Sequence, residues 1–99
     1  MPTLRVDLQE GFDGDTVLVR LNGRQLLHEP GVRTRLQTGL ARLVETEMPA
    51  GGAVLEVVLE ERSLQLAIPL NIEAATYVGI SVTTDGLVHQ ISADPFGYL

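Results

Sequence analysis

Asn22-Gly23, set between two runs rich in aliphatic residues, constrains this chain more than any other dipeptide in it. Thr16 to Leu21 precede it and Arg24 to Leu27 follow. Asn and Gly accept the positive φ that both central residues of a type I′ turn require, and the twist of that turn matches the twist of paired strands. A two-residue loop then sets the register: Leu21 faces Arg24, Val19 faces Leu26 and Val17 faces His28. Val17, Val19, Leu21 and Leu26 share the core face, and Leu18, Arg20 and Leu27 share the other.

The same period of two runs through most of the chain. Leu4, Val6 and Leu8 alternate with Arg5, Asp7 and Gln9 and predict a first strand. Glu10 to Asp15 carries two Gly and two Asp, the composition of a turn, with Phe12 as its apolar anchor. Ala53 to Glu60 and Leu64 to Leu70 alternate again, and Pro69, which donates no ladder hydrogen bond, assigns its strand to a sheet edge. Asp85-Gly86 predicts a second I′ turn. It places Thr84 opposite Leu87, Val82 opposite His89 and Ile80 opposite Ile91, so Val78, Ile80, Val82, Leu87 and Ile91 share a face.

Val32 to Met48 supports two readings. Leu36, Leu40, Leu43 and Val44 have helical spacing and Thr34 can cap a helix. Against that, an interior Gly39 costs a helix about 1 kcal/mol, and Thr38, Val44 and Thr46 are β-branched. The preferred reading is two strands, Val32 to Thr38 and Ala41 to Glu47, around a kink at Gly39.

With 99 residues, no Trp, two Phe and two Tyr, the core has to be built from Val, Leu and Ile, which favour strands. The expected fold is therefore all-β: one domain over residues 1–99, an antiparallel two-sheet sandwich of about eight or nine short strands. The tail, Asp94 to Leu99, holds two of the four aromatics and is expected to dock on the body.

Asp15-x-Val-x-Val-x-x-Asn-Gly23, Gly31-Val-x-Thr34 and the ending Asp-Pro-Phe-Gly-Tyr-Leu resemble small bacterial β-sandwich proteins of unassigned function. That resemblance covers most of the chain and implies a prealbumin-like or immunoglobulin-like fold. It brings no catalytic residues with it.

Charge and composition narrow the function. Seven basic residues, all Arg, stand against thirteen acidic ones for a net charge of −6, which disfavours nucleic acid as a partner. The absence of Cys removes disulfides, thiol nucleophiles and Cys-based metal sites. No apolar run reaches the roughly 20 residues that span a bilayer and no signal-peptide pattern opens the chain, so no membrane partner and a cytoplasmic location are expected.

Candidate chemistry is sparse. Asp13-Gly14-Asp15 offers two carboxylates to a hard cation, but Val17 and Arg24 stand where an EF-hand needs oxygen ligands, so no metal is expected. His28 and His89 have no spacing that joins them. Ser63, Ser81 and Ser92 lack a nucleophile elbow, and neither Gly-rich stretch has a phosphate-cradling pattern, so no catalytic residue and no cofactor are expected. Glu45, Glu47, Glu56 and Glu60 are expected to form an acidic surface on neighbouring strands. The face carrying Leu18, Arg20 and Leu27 mixes Arg with aliphatic anchors, as protein interfaces do. The expected function is a non-catalytic interaction or accessory module that binds a protein partner or forms a homo-oligomer; the rival is a carbohydrate or other small-molecule binding module.

Overall fold

Apolar side chains at every second position draw the chain into eight strands, with no helix among the described residues; the computed structural model describes residues 1–98. In chain order these are β1 (Thr3–Leu8), β2 (Asp13–Leu21), β3 (Arg24–Arg33), β4 (Arg42–Glu47), β5 (Gly51–Leu59), β6 (Leu64–Ile72), β7 (Thr76–Thr83) and β8 (Gly86–Ser92).

They form two four-stranded sheets, ordered β3-β2-β5-β6 and β4-β1-β7-β8. The first is antiparallel throughout. The second is mixed, because β1 runs parallel to β7 between two antiparallel pairs. This corrects the purely antiparallel expectation. Turn residues specify hairpins between strands that follow one another, whereas β1 and β7 meet through burial: Val6 lies beside Val78 and Leu8 beside Ile80, all four fully buried. Parallel pairs occur where both strands are well covered, and β1 and β7 are the two inner strands of their sheet.

One apolar cluster fills the space between the sheets. Val17, Val19, Leu55, Val57, Leu59 and Ile68 enter it from one side and Leu4, Val6, Leu8, Val78 and Ile80 from the other. Fully burying a Val, Leu or Ile side chain contributes about 1.5–3 kcal/mol, so the alternation itself specifies this stacking. Phe12 is buried at one end of the cluster, as its anchoring role predicts.

The opening hairpin has the predicted turn and a different register. Asn22 and Gly23 both take positive φ, 51° and 80°, and Leu21 pairs with Arg24. Beyond Gln25 the register slips, so Val19 pairs with Leu27, Leu18 with His28 and Val17 with Glu29. Leu26 is the extra residue of a β-bulge, and Leu26 and Leu27 both pack against the core. Leu27 is therefore on the face opposite Leu18 and Arg20, which corrects the predicted grouping. Two further shifts near Gly14 and Pro30-Gly31 bend the same pair.

In the second hairpin Thr83 pairs with Gly86, Val82 with Leu87, Ile80 with His89 and Val78 with Ile91, two residues off the predicted register. The loop residues are Thr84 and Asp85, and only Gly86 takes positive φ, 120°, so the turn is not I′. A shift of two preserves which side chains share a face, so Val78, Ile80 and Val82 remain core residues.

Of the two strands expected between Val32 and Met48, the second is β4, and Val32 and Arg33 end β3. The residues between them turn: Gly39 N–H donates to the Arg35 carbonyl at 2.8 Å, Gly39 has φ 76°, and Leu36 is 97% exposed. No helix buries Leu36. β4 and β5 lie in different sheets, so Glu45 and Glu47 do not share a surface with Glu56 and Glu60 as expected.

The open sides of the sandwich-like stack differ. At the β3/β4 side, Arg42 Nε donates to Glu29 Oε2 at 3.0 Å and Arg24 Nη2 to Thr46 Oγ1 at 3.2 Å, stitching the sheets together. Among the described residues no hydrogen bond joins side chains of β6 and β8 at the other side.

Candidate functional site

Alternation that sends Val17, Val19, Leu55 and Val57 inward sends Leu18, Arg20, Val54, Glu56 and Val58 to the outer face of the β3-β2-β5-β6 sheet. Leu18 lies between His28 and Val58, and Arg20 between Gln25 and Glu56. Ala67 and Pro69 on β6 continue the surface beyond Glu56 and Val54. Val54 is 44% exposed, and the small Ala67 leaves a hollow of about 150 Å³ bordered by Glu56, Val58 and Gln65. Arg20 and Glu56 sit directly opposite on adjacent strands, yet neither side chain makes a hydrogen bond or ion pair among the described residues. Of the three predicted face residues, the structure thus keeps Leu18 and Arg20 together and turns Leu27 inward. Glu56, Val54 and Val58 belong with the first two, which the cross-strand register shows and periodicity within one hairpin does not.

The opposite outer surface, on β4-β1-β7-β8, carries a polar network built on Asp7. Its side chain is fully buried although alternation places it on a wet face. Arg5 Nε donates to Asp7 Oδ1 at 2.9 Å, the Tyr98 hydroxyl donates to Asp7 Oδ2 at 2.5 Å, and Gln9 Nε2 donates to the Tyr98 oxygen at 3.1 Å. Space for this comes from Gly79, paired with Asp7, where a Cβ would lie 2.7 Å from the Gln9 amide oxygen. Burial, and then the bond to Asp7, push the Tyr98 pKa up to about 12; hydrogen bonding to Asp7 raises that of Arg5. The Arg5 guanidinium also stands 5.8 Å from the centre of the Tyr77 ring. The predicted docking of the tail is thereby seen through Tyr98; Leu99 lies outside the described residues.

Asp13 and Asp15 are each held by an arginine. Arg62 binds Asp15 with two bonds, Nε to Oδ1 at 2.8 Å and Nη2 to Oδ2 at 2.9 Å, and its Nη2 also donates to the Gly11 carbonyl at 3.1 Å. Asp13 pairs with Arg33. The Arg62 bonds tie the turn after β5 to the start of β2 and the loop before it, the Arg33 bond joins the ends of β2 and β3, and together they occupy the carboxylates that a cation would need. Next to Arg62, Glu61 accepts from the Thr16 hydroxyl and backbone N–H, which lowers its pKa. Among the described residues no group of three metal-ligating side chains is assembled.

His28 faces Glu60 at 3.3 Å on the outer surface of one sheet, and His89 lies on β8 of the other. Ser63 sits in the turn after β5 with φ 52°, while the Ser81 and Ser92 hydroxyls accept from backbone N–H groups of Glu10 and Asp94. None of the three pairs with a histidine among the described residues. A cleft of about 500 Å³ lies at one end of the stack between Glu10–Asp13 and Arg33–Gly39. Its floor is structural: Thr34 Oγ1 donates to the Gln9 carbonyl at 2.6 Å and accepts from Phe12 N–H at 3.1 Å. Phe12 is buried, and Tyr77, Phe96 and Tyr98 are half-buried. Among the described residues no helix is long and apolar enough to cross a membrane. With this geometry in hand, the chain was compared with protein-family models, curated proteins and solved structures, and none of them matches it.

Proposed function

We propose that this chain is a non-catalytic protein-interaction module that self-associates through the outer face of β3-β2-β5-β6, with Leu18 and Arg20 at the centre of the contact. The observation that carries the reading is the Arg20–Glu56 juxtaposition amid Leu18, Val54, Val58 and Ala67: two opposite charges on adjacent strands, neither side chain in an ion pair among the described residues. A two-fold axis through this face brings Arg20 of each copy to Glu56 of the other, and the aliphatic residues supply the apolar contact around them. The net charge of −6 supports neither nucleic acid nor an anionic membrane as partner. A cytoplasmic location remains part of the proposal.

Of the two folds that the sequence resemblance implies, we take the prealbumin-like one. An immunoglobulin-type order places the first strand beside the second in one sheet, whereas β1 here lies between β4 and β7. The carbohydrate-binding rival has less support, since a sugar platform needs exposed aromatic rings and all four aromatics here are buried or half-buried.

Light scattering across a concentration series tests the reading. The wild-type chain is expected to exceed its 10.7 kDa monomer mass. Arg20→Glu and Glu56→Arg are each expected to remain monomeric, and an equimolar mixture of the two to associate, because opposite charges meet again only between unlike chains. A wild-type chain that stays monomeric throughout overturns the proposal.

A further inference from the structure

Edge strands expose unpaired backbone groups, and proteins blunt them with proline, charge or bulges. Three of the four edges here carry such a device. β3 has Pro30, charged residues and three register shifts; β6 has Pro69; β4 has Arg42, Glu45 and Glu47. β8, Gly86 to Ser92, contains no proline and no Asp, Glu, Lys or Arg, and pairs with β7 without a shift.

The hydrogen-bond parity of β7 shows which groups of β8 are free. Gln9 N–H donates to the Ile80 carbonyl at 2.7 Å and Val82 N–H to the Glu10 carbonyl at 2.8 Å, so Ile80 and Val82 direct their backbone groups toward β1 and its extension. Gly79, Ser81 and Thr83 therefore direct theirs toward β8, where Gln90, Val88 and Gly86 are their partners. By the same alternation the N–H and C=O groups of Leu87, His89 and Ile91 point away from the sheet. Ile91 itself is 49% exposed, and Val88, between Leu87 and His89, is 45% exposed. Asp85 and Asp94 bracket this ladder, and neither is in an ion pair among the described residues.

We propose that β8 receives an extended segment of another protein as an added antiparallel strand, one that alternates apolar residues and carries Lys or Arg at both ends. Backbone pairing to Leu87, His89 and Ile91 supplies the affinity, and Asp85 and Asp94 select the basic ends. A second copy of β8 fits this edge less well: pairing about a two-fold axis at His89 sets Asp85 of each copy opposite Ala93 of the other, next to its Asp94, and so gathers like charges at both ends of the paired strands. This strand site and the Arg20 face lie on different sheets and rest on separate observations.

The test uses two labelled peptides, Arg-Thr-Val-Thr-Val-Thr-Val-Thr-Arg and the same sequence with Glu for both Arg, titrated into the full chain by fluorescence anisotropy. The basic peptide is expected to bind at least roughly tenfold more tightly than the acidic one at low salt. His89→Pro should abolish binding with the circular dichroism spectrum retained, because only an outward N–H is removed. The double variant Asp85→Lys, Asp94→Lys should reverse the peptide preference, and this decides the matter even if His89→Pro fails to fold. Arg20→Glu should bind the basic peptide as the wild type does, so loss of self-association leaves this site standing. Equal binding of the two peptides overturns the proposal. So does a wild-type dimer that His89→Pro abolishes and Arg20→Glu does not, since the edge would then be occupied by a second copy.

Discussion

Asp7 is where a single side chain departs most from what its position implies. Alternation along β1 makes it a wet-face residue like Arg5, and nothing nearby in sequence says otherwise. Its burial comes mainly from afar: Tyr98 closes over it, held by the neighbouring Gln9, in the space left by the missing side chain of Gly79. The aromatics of the tail announced that it docks, but its landing point depends on groups brought together only by the β1/β7 pairing. Tyr98→Phe removes a donor to a buried carboxylate and is expected to cost about 1–2 kcal/mol, read from the denaturation midpoint. The titration has a definite sign. Because the folded pKa of Tyr98, about 12, lies above its ordinary value of 10.0, the neutral hydroxyl stabilises the latch fully below pH 10.0, and that contribution is lost as pH rises through about 12. Tyrosinate absorbance should show a late-titrating component that Tyr98→Phe removes; two tyrosines titrating together would show that Tyr98 is not held by Asp7.

At the scale of elements, one of the two hairpin turns was legible, and the register beyond it was not. Asn22-Gly23 specified a I′ turn because no other common pair takes positive φ twice so cheaply, and the structure has it. The bulge at Leu26 was hidden because Leu26 and Leu27 are equally apolar, so a slip of one changes no pattern while moving Leu27 to the opposite face. Asp85-Gly86 misled for a related reason: Gly also serves as the left-handed residue after another turn type. Two glycines separate torsion from packing. A Cβ at Gly23, φ 80°, meets no atom within 4 Å, so Gly23→Val is expected to cost roughly 1 kcal/mol or somewhat more through backbone strain alone. At Gly11, φ 87°, a Cβ would lie 2.0 Å from the Val82 carbonyl oxygen, in backbone that is itself hydrogen-bonded to Glu10. Gly11→Ala should therefore cost about 3 kcal/mol or more, as expected for overpacking against backbone that has little room to shift. Thermal melts compare them; equal losses would mean that the Glu10–Phe12 loop does not pack on β7 as described.

For the whole molecule, alternating residues predicted strands and two stacked sheets, since each strand has one face to hide. They did not predict which strands are neighbours when no turn joins them. β1 and β7 are far apart in the chain, and no local signal marks their pairing. Such non-local pairing makes folding slow, so refolding by stopped-flow fluorescence of the tyrosines is expected on the millisecond-to-second scale rather than in microseconds. The same pairing also sets an order of assembly in the cell. β3-β2-β5-β6 is complete once Ile72 has been made, but β4-β1-β7-β8 must wait for Ser92, 20 residues later by the difference of those numbers. At ordinary translation rates this is about 1–4 s. Throughout it, a finished sheet waits with its apolar inner side uncovered, and the earliest strand synthesised is kept from its central neighbour until nearly the last. The nascent chain is thus most exposed to chaperones and to wrong partners late in its synthesis.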